Sequence, residues 1–340
     1  MLKRSQNLNI KDQRKGKPNY LLISFAVFLC FLILFSIALT MVVRATDFML
    51  RRPRKEINIL AENLVPTHDT ISFQSLDKNA LLSAWYFQAM GPVRGNIILV
   101  HDNLNNRLQF DLETAELYSF LRNSGFNVLA FDLRHSGQSS GEISAYGYME
   151  YLDVLAALRE VQRLSNNDKF ILMGFGSGCV ASLLAWEALP EKPQAEADRP
   201  YLLRDVELCK DNIQAMIFDT IAASADDYIR AEIKNEGFLN RFLYYPFIPT
   251  AVRLSASHEK AKLSPLLAQV QAPVMITRNL PESHLDEASI EAVIRERLRL
   301  KHELTYVWET QEAGSISGWL LDPENYRQHL SKFLDRWFSE

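Results

Sequence analysis

Cysteine is scarce in this chain. Its 340 residues hold three, Cys30, Cys179 and Cys209, with no CxxC pair. That argues against a disulfide framework and against a zinc site, although it does not exclude an extracellular location. No His, Cys, Asp and Glu grouping has metal-ligand spacing, and there is no cofactor loop, so neither a metal nor a cofactor is expected. The glycine-rich stretch at residues 174–178 lacks the Lys-Ser/Thr that a phosphate-cradling P-loop requires. There is no internal repeat. A basic stripe is also missing from most of the chain. Residues 1–55 carry 11 Lys/Arg and 2 Asp, net +9, whereas the remainder carries 26 basic and 39 acidic residues, net −13. An acidic globular part of this kind argues against a nucleic-acid partner.

Charge is absent altogether from residues 21–43, LLISFAVFLCFLILFSIALTMVV. At about 1.5 Å rise per residue this run spans a bilayer core. A cleavable signal peptide has a shorter apolar part ending in small residues. This run ends in Met41, Val42 and Val43, so the expectation is an uncleaved anchor in the cell membrane. Lys3, Arg4, Lys11, Arg14, Lys15 and Lys17 precede it; Arg44, Arg51, Arg52, Arg54 and Lys55 follow it. The positive-inside rule barely separates the two sides. A tail with so many positive charges is costly to translocate, so the N-terminus is placed in the cytoplasm and the domain outside. The basic residues after the span would lie against anionic headgroups. The chain then divides into a basic tail (1–20), a transmembrane helix (21–43), a juxtamembrane linker (44–66) and one domain (67–340).

Beyond the linker, short apolar, β-branched runs lie at residues 71–73, 81–87, 97–100, 127–131, 170–173, 215–218, 274–277 and 304–308. Amphipathic helical patterns lie at 111–123, 148–164, 178–188, 287–300 and 324–338. No helix separates the first two strands; the others are expected to alternate with helices. That reads as an α/β fold, a mainly parallel twisted sheet with helices on both faces. Residues 190–211, polar and holding Pro190, Pro193 and Pro200, read as a surface insertion. Residues 221–263 follow a strand, contain RFLYYPFIP and read as a cap.

Residues 169–180, KFILMGFGSGCV, run a strand through a glycine-rich turn into a helix. A strained strand-to-helix turn needs little bulk two residues either side of its central position. Gly176 as centre gives Gly174 and Gly178 as flanks, and a Gly tolerates the strain. Ser177 as centre gives Phe175 and Cys179, and the Phe would collide with its neighbours.

The stretch resembles the nucleophile elbow Gly-x-Ser-x-Gly of the α/β-hydrolase superfamily. Within it the chain is similar to the membrane-tethered bacterial group related to serine aminopeptidases and monoacylglycerol-type esterases. The resemblance covers roughly residues 71–338 and rests on five ordered motifs. NIILVHDNLNNR (96–107) resembles the strand and turn that supply the first oxyanion N–H. FDLRHSGQSSGE (131–142) resembles the Asp-x-Arg-Gly-His-Gly-x-Ser turn. YGYMEYLDVLAALREV (146–161) resembles the helix before the elbow, KFILMGFGSGCV the elbow itself, and APVMITRNLPES (272–283) the loop carrying the acid.

This resemblance implies a Ser nucleophile, a His base and an orienting carboxylate. The nucleophile position is Gly176. The acid position is Glu282, with Asp286 as alternative. The base position, seven residues before Asp322-Pro323-Glu324, is Ser315, which has no ionisation near neutral pH. None of the seven histidines lies in that loop; His284, in the acid loop, is the one plausible migrant. The oxyanion donors fall on the backbone of Asn103 and Ser177, and Asp102 stands where the family usually has Gly. His101, Asp102, Phe175 and Trp319 are the expected pocket residues. The first reading is therefore a membrane-anchored pseudo-hydrolase that binds an apolar or amphiphilic small ligand, or a protein partner. The second is an active membrane-anchored serine hydrolase using Ser177 or another nucleophile. The third is a structural module of an envelope complex.

Overall fold

The fold is described from a computed structural model, which covers residues 19–233 and 237–338. Eight strands form one sheet: β1 (Asp69–Gln74), β2 (Leu81–Phe87), β3 (Gly95–Val100), β4 (Phe126–Phe131), β5 (Phe170–Phe175), β6 (Ile213–Asp219), β7 (Val274–Asn279) and β8 (Thr305–Thr310). Their spatial order is β1-β2-β4-β3-β5-β6-β7-β8. The first two pairings, β1–β2 and β2–β4, are antiparallel; all the others are parallel. Each strand expected from the sequence is present. The alternation departs from expectation at one link: β2 joins β3 through residues 88–94 with no helix. An antiparallel β2 needs no crossover helix to reach the sheet interior.

The helices are α1 (Tyr20–Leu50), α2 (Ile59–Glu62), α3 (Thr114–Asn123), α4 (Tyr151–Leu164), α5 (Ser177–Ala188), α6 (Ala225–Ile233), α7 (Tyr245–Ser255), α8 (Leu263–Gln269), α9 (Glu287–Lys301), α10 (Gly318–Leu321) and α11 (Pro323–Phe338). The inner strands are buried along their whole length, as expected of a sheet covered twice. Side chains alternate between two cores. Ile98, Leu129, Leu172, Met216 and Ile276 face α4, α5, α8 and α9. Ile97, Val128, Ile171, Ile217 and Met275 face α3 and α11.

Helix α1 is long and apolar enough to cross a membrane. It continues seven residues beyond Val43, into the segment expected to be linker. Its last turns are not free: Val42, Thr46, Met49 and Leu50 are buried. Val42, Met49 and Leu50 join the core cluster that contains Ile248 and Val252 of α7. Residues 51–58 then run across the domain. Arg54 donates to the carbonyls of Ser139 and Gly141 at 2.6 and 2.8 Å. Asn106 donates to those of Lys55 and Glu56, both at 3.1 Å.

Candidate functional site

Strand β5 delivers Gly176 to the N-terminus of α5 with φ 52° and ψ −122°, a conformation that only Gly adopts without strain. Its flanks are as crowded as an elbow demands. A Cβ on Gly174 would lie 2.8 Å from the Cys179 nitrogen, and one on Gly178 would meet the carbonyls of Val100 and His101. Gly176 thus occupies the strained point. Ser177, the alternative nucleophile, is the first residue of α5 and sits one step beyond it.

The space where a nucleophile side chain would project is taken. A Cβ on Gly176 would meet the Asp102 carboxylate, with Cγ at 2.5 Å, and the Ile316 Cδ1 at 2.7 Å. Asp102 Oδ1 accepts from the Ser177 N–H at 2.7 Å and from the Ser177 hydroxyl at 2.9 Å. The Asn103 N–H donates to that same hydroxyl at 2.8 Å. The two backbone groups expected to receive an oxyanion are therefore both engaged internally, and one holds a carboxylate oxygen. Burial pushes the Asp102 carboxyl above its ordinary range, against the opposing pull of its Ser177 and Asn103 neighbours.

The other catalytic positions behave as follows. Glu282 lies after β7 and pairs in a short bridge with Gly314. Its Oε1 accepts from the His284 and Leu285 amides at 3.0 and 3.4 Å, while its Oε2 is enclosed without a partner. A triad carboxylate would give that oxygen to the histidine. Asp286 caps α9, accepting from the Ala288 N–H at 3.0 Å, and is exposed. In the loop after β8 it is Ile316, next to Ser315, that reaches the elbow. Ile316 is β-branched and holds φ 51°, a strained setting that aims its side chain over Gly176. His284 turns instead to Glu232 of α6, with Nε2 3.4 Å from Oε1. Glu232, bonded to His284 and also to Arg52 at 2.6 Å, is held down at about 2. His284 is raised by the same contact.

Three of the four expected pocket residues, His101, Phe175 and Trp319, are buried. His101 is buried. Its Nδ1–H donates to the Asp102 carbonyl at 2.7 Å and its Nε2 accepts from the Leu133 amide at 2.9 Å. Burial lowers its pKa, so the ring is a neutral strut between β3 and β4. Phe175 stacks edge-on against Phe110 with centroids 5.2 Å apart. Trp319 is buried on the same face and donates to the Glu113 carbonyl at 3.1 Å. Strand alternation explains this: Phe175 is directed into the α3/α11 core, away from the elbow. Cys179, just behind the elbow, is buried, and its thiol is pushed well up, which removes it as a nucleophile.

The strand order, the glycine elbow between β5 and α5, and loops bearing candidate groups after β7 and β8 decide the architecture. The chain has the α/β-hydrolase fold. No family model matches it. It is 22% identical over 280 residues to the uncharacterized protein YqkD of Bacillus subtilis, covering 79% of this chain and 83% of that protein. The esterase Pf2001 of Pyrococcus furiosus superposes with TM-score 0.64 at 18% identity, over 84% of this chain and 99% of that one. An acylaminoacyl peptidase of Pyrococcus horikoshii gives TM-score 0.55 at 13% identity, over 81% and 42%.

Within this α/β-hydrolase fold the residue 131–142 motif is structural. Asp132 accepts from the amides of Arg107 and Gln138 at 2.7 and 2.8 Å and pairs with the Arg107 guanidinium at 3.1 Å. Arg134 joins Asp153 of α4 at 2.7 Å and Asp77 at 3.0 Å. The first cluster pins the loop that carries Asp102 and Asn103, and the second ties the residue 131–142 turn to α4. The cap that follows β6 comprises α6, a π-helical turn (Asn240–Tyr244) and α7. Sequence reasoning missed these helices and missed Ile316. The cap holds Pro246 and Pro249, which read as breakers, and nothing in the pattern marks an isoleucine at positive φ.

Proposed function

We propose that this chain is a single-pass membrane protein whose α/β-hydrolase-fold domain does not hydrolyse and acts by binding. The observation that carries this reading is the Asp102 carboxylate over Gly176, taking both donors of Ser177. Acyl transfer needs a nucleophile, a base and donors aimed at a developing oxyanion. Here the first position lacks a side chain. Residues 314–317 place an isoleucine, not a histidine, over the elbow. The third requirement meets a negative charge already in place.

A hydrolytic reading through Ser177 would draw on its 2.9 Å bond to Asp102, a carboxylate within reach of the hydroxyl proton. The same Asp102 oxygen holds the Ser177 N–H, so even after taking the hydroxyl proton Asp102 would occupy a donor that the oxyanion needs. The energetics oppose that route. Asp102 also disfavours an anionic ligand at the elbow. The binding role is therefore assigned to the cap and juxtamembrane face, toward an apolar or amphiphilic partner.

The test is turnover of short-chain esters by the full chain in membranes. The expected rate equals that of a heat-denatured control and is unchanged by Ser177→Ala. Turnover lost on Ser177→Ala would overturn the reading. The N-terminus is placed in the cytoplasm; protease added to intact cells then removes the domain, and protection until lysis would reverse that orientation.

A further inference from the structure

We propose that the cap is a membrane-docking surface, seated in the headgroup and upper acyl region of the bilayer crossed by α1. This rests on the reading of α1 as a membrane span. The elements packed against α1 are chiefly α7 and the π-helical turn. The contact face of α1 begins inside its apolar run, not after it: Ala38 and Met41 are half-buried and Val42 is buried, whereas residues 20–37 are exposed. Ala38 lies five residues before the run ends at Val43, about 7–8 Å along the helix axis at 1.5 Å per residue. The domain therefore reaches past the end of the apolar run by roughly the depth of an interfacial helix, about 5–10 Å.

What the cap exposes there is apolar. Phe238 is 76% exposed, Phe242 59% and Phe247 54%. Phe238 and Phe242 lie against each other with centroids 5.1 Å apart. Three exposed phenylalanines on one cap, beside an exposed apolar helix, are costly in water, and they extend the apolar surface of α1 sideways. Basic side chains stand on the cap and near the end of α1. Arg44 is exposed near the end of α1, Lys55 is exposed on the segment that follows it, and Arg241 leans over the Phe242 ring at 5.6 Å. Long basic side chains of this kind keep their stems apolar and their heads among phosphates. A bilayer surface supplies both partners at once.

The experiment uses the full chain, reconstituted into vesicles of zwitterionic and anionic phospholipid containing doxyl-labelled lipids. Cys30 is exposed and Cys179 and Cys209 are buried, so an environment-sensitive fluorophore attaches at residue 30. In a Cys30→Ser background it is moved to Phe242→Cys or, separately, to Phe247→Cys. The proposal expects blue-shifted emission and quenching at both cap positions, comparable with the loss at Cys30. Quenching at Cys30 with water-like, unquenched emission at both cap positions would overturn the docking while leaving the anchor standing. An unquenched Cys30 would overturn the anchor and the docking together.

Discussion

Placing a serine at Gly176 should damage the fold before it restores any chemistry. The new Cβ meets the Asp102 carboxylate and the Ile316 methyl at 2.5–2.7 Å, in a backbone setting of φ 52°. Non-glycine residues in such regions cost about 1–3 kcal/mol, and overpacking a filled site costs about 1–3 kcal/mol more. Gly176→Ser should therefore destabilise by about 2–6 kcal/mol, read as a lower urea midpoint at unchanged slope. Asp102→Gly removes the nearer obstacle. The two changes should couple favourably by about 1 kcal/mol or more in a double-mutant cycle, since the residues touch. The chemistry should follow the same order. Gly176→Ser alone should stay inactive. With Asp102→Gly and Ile316→His added, the Ser177 N–H is freed and an imidazole is placed over residue 176. Slow ester hydrolysis should then appear, because a formed hole and binding alone can supply ~10³-fold over water. A Gly176→Ser variant as stable as the parent, with no coupling to Asp102, would refute the steric reasoning.

Burial raises Asp219, at the end of β6, to about 7 from 3.8, so its contribution to stability is complete below about pH 4 and lost as pH rises toward 7. Asp219→Asn should flatten the stability profile across that window in urea titrations; an unchanged slope would contradict the assignment. Glu232→Gln should lower the His284 pKa, followed by NMR of the imidazole protons. In the parent, Glu232 contributes above its ordinary 4.5 and loses this as pH falls toward 2, while the raised His284 contributes below 6.5 and loses this as pH climbs past it. An unmoved His284 titration would show that the pair does not form. Arg134→Met strands the buried Asp153 carboxylate and should cost about 3–5 kcal/mol, measured by chemical unfolding; a loss below about 1 kcal/mol would show the cluster to be hydrated.

The fold was legible because its signals are local. Apolar β-branched runs mark each strand, and steric logic at residues 174–178 selects Gly176 over Ser177. The helices of the cap were not legible, for a physical reason. Pro249 lies inside α7, and Pro246 lies in its first turn; neither can donate a helical hydrogen bond. The chain stays helical through a π-helical turn immediately before them, a distortion that no periodicity announces. At the site, sequence placed a carboxylate near the oxyanion donors but could not orient it, because that depends on how residues 102–109 fold. The Asp102 amide donates to Gln109 at 2.9 Å, and Asn105 donates to the Gln109 carbonyl at 2.9 Å; this local loop turns the carboxylate inward. Likewise Ser315 was singled out by counting from Asp322, whereas its neighbour Ile316 is the residue over the elbow, an outcome of the strained loop after β8.

The most direct test of the central claim is intact-mass analysis of the full chain after exposure to a serine-reactive fluorophosphonate. The chain with Asp102, Gly176 and Ile316 unchanged should gain no adduct, while the variant carrying Asp102→Gly, Gly176→Ser and Ile316→His should gain one, at residue 176. An adduct on the unaltered protein that maps to Ser177 and disappears in Ser177→Ala would contradict the account.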